Sequence, residues 1–565
     1  MKILSLHCDY IKFKPLKKAL KEPEELSEER KKEQYVKEPL VIFTAVEKGD
    51  SLDSVKELVK NIEDISGQVN DKKIVLYPYA HLSSNLGSPQ IAMKILEETE
   101  KELKKKKFEV VRAPFGYYKE FELKCKGHPL SELSREIKIS GKESDEKYDP
   151  IQLLREISKN RLDTSKLKDN DHRIIGNQMD LFSFSEVAPG MVFWHNNGLI
   201  IRNELISFWR EQHRKSGYQE IQTPQILDKK LWQISGHWEK YKDNIFLTEY
   251  EKKQYAVKPM NCPGGMLVYK SRPKSYKEFP LRVAELGTVH RQELSGVLGG
   301  LFRVIQFTQD DAHLFCTEEQ IESEVMGIMS LIDSIYSKFG FKYRMELSTR
   351  PEKRIGSDKI WDKAEKILED VLKKKKATFK INKGDGAFYG PKIDFHLTDS
   401  LGRDWQCGTI QLDFAMPERF ELEYTDKDNS KKRPIMLHRT VFGSLERFIG
   451  VLIEHTNGRL PTWLAPIQVR VLSFTDRNVD YAKKIIMKIG EEIPNLRIDA
   501  DFTQTTVQSK VKDAEIMKVP YIIVVGDKEE KEKTLAVRVK GNSKIETMKM
   551  DNFVEKLKRE IVERI

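Results

Sequence analysis

The sequence predicts a multidomain α/β protein, and three observations support that fold class. The chain has 565 residues, which at about 150 residues per domain is enough for three or four domains. Hydrophobic residues make up 39% of the chain and aromatic residues 9%, so several cores can be buried. Strand-length apolar runs alternate with charged, helix-like stretches near both ends of the chain, an order typical of α/β folds.

Composition argues against a membrane protein and leaves a nucleic-acid partner open. The longest apolar runs, such as Tyr521–Val525, are only strand-sized, so we expect no membrane span. His7 and Asp9 interrupt the N-terminal apolar run, so we expect no signal peptide. The net charge of +10 permits RNA or DNA binding without requiring it. The five cysteines form no CxxC pair, which favours a reducing, cytoplasmic location.

The pattern of residues 1–140 predicts one α/β domain. Apolar runs predict strands, and a charged stretch ending near Lys107 predicts a helix between the last two of them. The predicted strands are Ile3–His7, Leu40–Val46, Ile74–Tyr79 and Glu109–Ala113.

Residues 141–185 lack apolar periodicity and are rich in Lys, Asp, Asn and Ser, which predicts a linker with one short helix near Ile151–Ile157. The dense, mixed pattern of residues 186–465 predicts the central domain. Residues 466–565 predict a compact α/β unit in which strands alternate with helices. These strands are Val469–Ser473 and Tyr521–Val525, and the helices are Tyr481–Ile493 and Phe553–Ile565.

The central domain begins and ends with amphipathic helices. Apolar residues at helical spacing, which is i, i+4, i+7 and i+8 in the first helix, define one face of each helix, and glycine is well placed to end both. The first face is Ile201, Leu205, Phe208 and Trp209, before Gly217; the second is Phe442, Leu445, Ile449, Leu452 and Ile453, before Gly458. Between them, Gln219–Ile226 predicts a strand, and Pro224 confines it to an edge or interface because proline cannot donate to a β-ladder.

A predicted strand, Leu281–His290, is followed by a glycine-rich loop and a return strand, Arg303–Phe315. The two-residue period of a strand brings one cation, one aromatic ring, one amide, one carboxylate and one imidazole to a single face. They are Arg303, Phe307, Gln309, Asp311 and His313. From these residues alone, both a solvated antiparallel face and a binding site remain open.

Several sequence strings, taken in order, resemble the threonyl-tRNA synthetases. The Pro224, Arg291–Glu293 and Arg447 segments resemble motifs 1, 2 and 3 of class II aminoacyl-tRNA synthetases. The strings are KPMNCPG (258–264), HRQELSG (290–296), FTQDDAHLFCTEEQ (307–320), STRPEKRIGSD (348–358), FYGPKIDF (388–395), QCGTIQLDF (406–414) and PTWLAPIQV (461–469). Class I signatures, a Walker A loop and HExxH are absent from the sequence.

The first 140 residues resemble the archaeal-type editing domain of the same family, which is itself similar to D-aminoacyl-tRNA deacylases. The strings that carry this similarity are HCDYI, YPYAHLSS, APFGYYK and CKGHPLSELSR. The resemblance therefore implies an antiparallel class II catalytic sheet between an N-terminal editing domain and a C-terminal anticodon-binding domain.

For adenylate formation the resemblance implies five ATP contacts. Arg291 would hold the α-phosphate, Glu293 would read the adenine amino group, and Arg303 would lie near the outer phosphates. Phe307 and Arg447 would cover the two faces of the base. Arginine suits phosphate because its planar fork binds in two places and also stacks on rings. Arg291 and Arg447 are the expected catalytic arginines, and Mg²⁺ is expected to accompany ATP.

The same resemblance implies one zinc ion per subunit, bound by Cys262, His313 and His438. Their spacing carries no local metal signal. Three protein ligands leave an open position, as catalytic zinc requires. Threonine and valine are nearly isosteric, and an apolar pocket separates such pairs only about 100-fold. A Lewis acid that binds both the amino group and the hydroxyl of threonine would reject valine.

The resemblance also implies the rest of the threonine pocket. Asp311 would meet the substrate ammonium, and Gln309, Tyr389 and Gln411 would complete the site. Serine offers the same amine and hydroxyl and lacks only a methyl group, which is worth about 1–3 kcal/mol. We therefore expect hydrolysis of seryl-tRNA at a second site in the N-terminal domain. Its candidate residues are His81, Tyr118, Lys119 and Glu132, and for Glu132 the alternative is a plain carboxylate on the surface of a helix.

Transfer of threonine to tRNA(Thr) needs a proton removed from a ribose hydroxyl. His237 is the candidate for that step or for holding the ribose, and a structural histidine is the alternative.

Glu529 and Arg538 are candidates for contacts with anticodon bases, which proteins read by splayed hydrogen bonds and stacking. Gly265 departs from the family string PMNCPGH, which has histidine at this position. Motif 1 of this class implies a homodimer.

Two other functions remain open at this point. A catalytically inactive RNA-binding regulator on the same scaffold would be expected to lose Arg291, Arg447 or a zinc ligand, and all are present. A class II synthetase for proline or serine would lack the Cys–His–His set. The sequence therefore favours a threonine-activating, editing synthetase.

Overall fold

The computed structural model describes residues 1–20, 23–83, 85–137, 167–542 and 544–565. The helix predicted near Ile151–Ile157 lies outside these residues. The chain forms two compact units, Met1–Asp149 and Pro150–Ile565. Among the described residues, no helix is long and apolar enough to cross a membrane.

The first unit is built on one seven-stranded sheet whose first strand is 17 residues long. Three neighbouring strands at one side of the sheet are parallel, and the first strand pairs antiparallel with four others. The strands are Lys2–Lys18, Gln34–Lys37, Leu40–Ala45, Lys73–Pro78, Glu109–Arg112, Tyr117–Cys125 and Glu132–Glu136. All four predicted strands are present, and the first is longer than predicted because its alternation continues beyond His7.

Two helices, Ser54–Val69 and Pro89–Lys105, cover one face of this sheet, and a short 3₁₀ turn is formed by Ala80–Leu82. Leu40 and Ile42 pack under the helices, whereas Val41 and Phe43 join an aromatic cluster on the opposite face. This division follows from the two-residue period of the strand. The helix face is therefore an ordinary aliphatic core, and the other face carries the aromatic cluster.

The second unit contains an eight-stranded sheet that is antiparallel except at its two outermost pairs. Its spatial order is Gln219–Glu220, Leu281–His290, Gln306–Cys316, Ile435–Thr440, Asp404–Asp413, Lys392–Thr398, Lys342–Ser348 and Phe379–Asn382. Smaller sheets are formed by Ile226–Asp228 with Lys253–Val257 and Leu247–Tyr250, by Phe182–Ser183 with Phe193–Trp194, and by Tyr424–Thr425 with Lys431–Lys432.

Helices pack against the large sheet and around its edges. They are His172–Gln178, Asn196–Lys215, Lys229–Ile234, His237–Tyr241, Cys262–Lys270, Ile321–Lys338, Asp358–Lys374, Ala415–Arg419 and Leu445–Thr456. Their core positions repeat at helical spacing, as in the buried Ile201, Leu205, Phe208 and Trp209. In the last helix the predicted Leu445, Ile449, Leu452 and Ile453 are buried as well, whereas Phe442 is buried but precedes the helix.

Two predicted strand boundaries were wrong. Gln219–Ile226 is not one strand: Gln219–Glu220 and Ile226–Asp228 join different sheets on either side of Pro224. The return strand begins at Gln306 rather than Arg303, because the Gly299 amide donates to the Arg303 carbonyl at 3.2 Å and closes a turn there.

The C-terminal part of the second unit has its own five-stranded sheet with three parallel strands and two antiparallel ones. The order is Ile498–Asp501, Val469–Ser473, Tyr521–Val525, Thr534–Val539 and Ile545–Lys549, with helices Val479–Glu492, Val507–Ile516, Asp527–Glu532 and Met550–Glu563. Arg497 and Arg564 form ion pairs with Glu204 and Glu211 of the Asn196–Lys215 helix. The predicted multidomain α/β fold class is confirmed.

Candidate active site

A cavity of about 510 Å³ lies against three central strands of the large sheet, Gln306–Cys316, Asp404–Asp413 and Ile435–Thr440. The antiparallel pairing of these strands turns their polar positions toward one face. The sequence-predicted residues that line it are Cys262, Arg291, Glu293, Arg303, Phe307, Gln309, Asp311, His313, Tyr389, Gln411, His438 and Arg447. Residues separated by up to 185 positions in sequence therefore share one site.

The cationic end of the cavity is prearranged by contacts among its own residues. The Arg291 guanidinium lies 5.1 Å from the ring centre of Phe307, and its Nε donates to the Pro259 carbonyl at 3.1 Å. Arg303 forms a 2.8 Å ion pair with Glu293. These contacts hold two arginines and one aromatic ring at the cavity wall, a combination suited to a nucleotide with several phosphates.

Arg447 enters the cavity from the first turn of the Leu445–Thr456 helix. Ser444 caps this helix, since its Oγ accepts from the Arg447 amide at 3.0 Å. The guanidinium donates to the carbonyls of Phe302 at 3.0 Å and Gln406 at 3.1 Å. The Arg447 side chain is therefore fixed between two backbone segments before any ligand binds.

Cys262, His313 and His438 bring one sulfur and two nitrogen atoms within 4.8 Å of one another. They come from the start of a helix and from two paired strands, in which His313 and His438 face each other. All three are buried. Burial lowers the pKa of His313 well below its usual value, which keeps the imidazole in the neutral form that binds metals. Sulfur and imidazole donors match zinc chemistry, so the residues fit that ion.

Asp413 orients one member of this cluster. Its carboxylate is 2.8 Å from Nε2 of His438 and also accepts from the Ala415 and Met416 amides. This leaves Nδ1 of His438 for a ligand, and metal-binding histidines usually have such a carboxylate at the ring nitrogen that does not bind the metal. A Cβ at Gly265 would lie 3.2 Å from Nδ1 of His313, so a side chain at this position would crowd the imidazole.

The predicted threonine contacts line the same cavity, next to the arginines and the Cys–His–His cluster. The Asn261 amide donates to Asp311 at 2.7 Å, and Tyr389 donates a short hydrogen bond to Gln411. Burial raises the pKa of the Asp311 carboxyl, while Asn261 and the Arg291 charge oppose that shift. A carboxylate in this position would be stabilised further by an ammonium group.

His237 does not line the cavity. Its ring is fully buried, with Nδ1 2.8 Å from the Ser235 hydroxyl and Nε2 2.8 Å from the sulfur of Met260, which does line the cavity. Burial lowers the pKa of His237 to about 3. The structure thus places this imidazole behind Met260.

A second cavity, of about 440 Å³, lies in the first unit. His81, Tyr118 and Lys119 line it together with an aromatic group that includes Tyr77 and Tyr79. The Lys119 ammonium lies 5.1 Å from the Tyr77 ring centre and donates to two backbone carbonyls. Burial lowers the pKa of Lys119 to about 8.

Glu132 is not brought to this cavity. It is exposed in the strand Glu132–Glu136, where it pairs with Leu6, rather than on the helix expected from the sequence. The helix expectation was wrong because these five residues instead complete the edge of the first sheet.

The two predicted anticodon contacts occupy different settings. Arg538 forms a 2.6 Å ion pair with Glu515 and lines a cleft of about 490 Å³. This cleft is rich in cationic side chains: Arg459, Lys512, Lys518 and Lys540 also line it. Glu529 does not line the cleft, and its carboxylate accepts from the Gly526 amide at 3.0 Å.

Sequence reasoning missed several side chains of the main cavity, among them Tyr241, Asn261 and Lys392. Asn261 precedes Cys262 directly, and Lys392 is part of the string FYGPKIDF, so both were within motifs already recognised. Tyr241 carried no signal, because its position 5.8 Å from the Arg291 guanidinium depends on the tertiary fold.

Three family descriptions match the chain in order. Residues 1–137 match the Archaea-specific editing domain of threonyl-tRNA synthetase, residues 246–456 the class II core domain of tRNA synthetases (G, H, P, S and T), and residues 468–560 an anticodon-binding domain. The predicted resemblance is confirmed in all three parts.

Curated relatives and a solved structure agree with these family matches. The chain is 45% identical to a threonine–tRNA ligase of Caldanaerobacter subterraneus subsp. tengcongensis over 92% of this chain and 84% of that protein. It is 52% identical to the threonine–tRNA ligase of Desulforamulus reducens over 70% of this chain, spanning 62% of that relative's length.

A crystal structure described as the RNA binding domain of threonyl-tRNA synthetase from Cryptosporidium parvum Iowa II is 40% identical and has a TM-score of 0.66. The match covers 69% of this chain and 98% of that one. The three ordered family matches, together with the relative from Caldanaerobacter, show that this chain belongs to the threonine–tRNA ligases, with a class II catalytic core and an archaeal-type editing domain.

Proposed function

We propose that this chain joins L-threonine to ATP as an adenylate, transfers it to tRNA(Thr), and hydrolyses mischarged seryl-tRNA(Thr). One observation carries this proposal: the Cys–His–His cluster, the Asp311 carboxylate and the arginine-rich wall line a single cavity. Such a cavity can accept a small amino acid at one end and a nucleotide at the other.

Adenylate formation requires in-line positioning and neutralisation of phosphate charge more than covalent help from the protein. We assign Arg291 to the α-phosphate and Arg303 to the outer phosphates. Phe307 and Arg447 take the two faces of adenine. The Arg303–Glu293 ion pair keeps the Glu293 carboxylate at the wall, where it can accept from the adenine amino group. Mg²⁺ accompanies ATP as its usual counterion.

Cys262, His313 and His438 would hold a zinc ion. When bound, it supplies a Lewis acid for the amino and hydroxyl groups of threonine, a pair that valine lacks. Asp311 binds the substrate ammonium and Asn261 orients that carboxylate. Gln309, Tyr389 and Gln411 close the pocket around the side chain, with Tyr389 and Gln411 already bonded to each other.

The cavity of the first unit is the proposed editing site, since His81, Tyr118 and Lys119 meet there. An ammonium partly buried among aromatic rings favours an anionic or carbonyl-rich ligand, such as an ester-linked amino acid on a ribose. Glu132 remains a predicted editing residue that lies outside this cavity.

The remaining assignments are also proposals. We divide the chain into an editing domain (1–140), a linker (141–185), a catalytic domain (186–465) and an anticodon-binding domain (466–565). Arg538 contacts RNA at its cationic cleft, and Glu529 contacts a base on a separate surface. His237, which lies behind Met260, assists the transfer of threonine to the ribose of tRNA(Thr). The enzyme works in the cytoplasm as a homodimer.

The test is amino-acid-dependent ATP–pyrophosphate exchange by the full chain, combined with metal analysis. Threonine should support rapid exchange, serine weaker exchange and valine almost none, and about one zinc ion should bind per chain. Exchange with proline instead of threonine would contradict the proposal, and absence of exchange with every amino acid would favour the non-catalytic RNA-binding alternative. Valine activation equal to that of threonine would refute the role given to the metal.

A further inference from the structure

His172 connects the segment that precedes the catalytic core to the turn that carries Phe302 and Arg303. It begins the helix His172–Gln178, within the region predicted from sequence to be a linker, and is 1% exposed. Its Nδ1 lies 2.7 Å from Oε1 of Glu454, and Glu454 is a residue of the Leu445–Thr456 helix that also holds Arg447.

The second ring nitrogen of His172 reaches the turn itself. The Leu301 amide donates to Nε2 at 2.9 Å, so Nε2 must be an acceptor and Nδ1 must carry the proton given to Glu454. Gly300 has φ +55°, and a Cβ there would lie only 2.2 Å from Nε2. A glycine is therefore needed for the imidazole to approach this backbone.

Phe302 extends the connection to the ATP end of the cavity. Its ring lies between His172, at 4.2 Å, and Trp405, at 4.1 Å between ring centres. Its carbonyl accepts from Nε of Arg447 at 3.0 Å. A shift of this turn would move the carbonyl that orients Arg447 and, one residue later, the Arg303 side chain.

Asp171, His172 and Glu454 also bring three potential metal ligands close together, but each already has a partner. Arg173 binds the Asp171 carboxylate, Arg403 binds the second oxygen of Glu454, and both nitrogens of His172 are used. The network is therefore a hydrogen-bonded support rather than an ion site.

We propose that His172 is a positioning residue for ATP: it accepts from the Leu301 amide and packs against the Phe302 ring, and so fixes the turn that orients Arg447 and Arg303. This inference rests on the proposed synthetase function. It predicts an effect on ATP that is separate from any effect on threonine, because Asp311 and the Cys–His–His cluster do not contact this turn.

The experiment compares His172→Asn with His172→Gln in threonine-dependent ATP–pyrophosphate exchange by the full chain. Asparagine places an amide at the Nδ1 position and leaves the Leu301 N–H without an acceptor, whereas glutamine can place an oxygen near the Nε2 position. His172→Asn should raise the KM for ATP about tenfold, with the KM for threonine changed less than twofold. His172→Gln should keep the KM for ATP within about threefold of that of the parent chain.

The matched control is His195→Asn. His195 also lies close to a carboxylate, Asp180, at 2.6 Å, but it has no bond to the turn, so its KM for ATP should not change. Equal effects of His172→Asn and His172→Gln, equal rises in both KM values, or no rise for ATP would each overturn the inference. Exchange by the parent chain reports on the proposed function separately.

Should His172→Asn fail to fold, Trp405→Leu provides the same test from the other side of Phe302. Its KM for ATP should rise at least threefold while that for threonine stays within twofold. An unchanged KM for ATP in this variant would also overturn the inference.

Discussion

The side-chain amide of Asn261 donates a 2.7 Å hydrogen bond to the carboxylate of Asp311, between the loop that precedes Cys262 and the central strand that carries His313. Asn261 is fully buried, and its carbonyl oxygen has no protein partner. A Cβ at Gly287 would lie 2.1 Å from that oxygen, so the asparagine is tightly enclosed. Asn261 thus fixes the carboxylate assigned to the substrate ammonium.

Asn261→Ala should raise the KM for threonine about tenfold in ATP–pyrophosphate exchange. A hydrogen bond to a charged group contributes about 1.5–3 kcal/mol, and its loss frees Asp311 to rotate. The KM for ATP should change little. Asn197→Ala is the control, because Asn197 also donates through its side chain but to the distant Met179 carbonyl. If both substitutions raise the KM for threonine equally, Asn261 has no specific role in threonine binding.

Cys262→Ser should lose the bound zinc and threonine activation while the chain stays folded. A serine hydroxyl is a poor replacement for a thiolate ligand, and His313 with His438 alone provide only two donors. Atomic emission measures the zinc content, circular dichroism checks the fold, and ATP–pyrophosphate exchange measures threonine activation. Cys316→Ser removes another buried thiol, which lies outside the cluster, and should keep its zinc. Full activity of zinc-free Cys262→Ser would contradict the metal assignment.

Much of the sheet could be predicted from local pattern, because a strand repeats every two residues. The face that holds Phe307, Gln309, Asp311 and His313 was derived from that period and lines the cavity as expected. The start of the strand was missed, since a backbone bond between Gly299 and Arg303, rather than any side-chain pattern, decides where pairing begins.

The metal cluster shows what local pattern cannot provide. Cys262, His313 and His438 lie on three separate elements, and only the pairing of two strands aligns the histidines. The family resemblance therefore identified them before the structure did. Glu132 shows the reverse case: the resemblance pointed to it, but strand pairing with Leu6 leaves it exposed and away from the cavity of the first unit.

Lys258→Met should lower the free energy of unfolding by about 3–5 kcal/mol, because it leaves a buried carboxylate without its cation. Lys258 and Glu285 form a 2.8 Å ion pair in which both side chains are 1% exposed. Lys215→Met breaks a pair of similar length that is largely exposed, and should cost less than about 1 kcal/mol. Denaturant unfolding of both variants measures the difference, and similar costs would contradict it.

The stability of the first unit should depend on pH through Lys119. Burial lowers its pKa to about 8 in the folded state, below the value of about 10.4 expected in the unfolded chain. Between these values the unfolded state holds more protons, so the free energy of unfolding should rise from pH 8 to pH 10. The expected gain is about 1–2 kcal/mol because Lys119 remains partly exposed. Lys119→Met should abolish this rise in the free energy of unfolding. If the variant shows the same rise between pH 8 and pH 10, the pH dependence does not come from Lys119.

Hydrolysis of seryl-tRNA(Thr) should depend on residues that line the cavity of the first unit and much less on Glu132. Lys119→Met removes the ammonium that lies over Tyr77 and should slow deacylation at least tenfold, because no other ammonium among the cavity-lining residues can replace it. Glu132→Gln should change the rate less than twofold, since its side chain points to an exposed sheet edge.

Release of serine from purified seryl-tRNA by the full chain measures these rates, and threonine-dependent exchange serves as the control for the separate synthetic site. Both variants should retain exchange. If Glu132→Gln largely loses deacylation and Lys119→Met keeps it, the editing site lies at the strand Glu132–Glu136 and not in the cavity. Loss in both would mean that the reaction needs the cavity and this edge together.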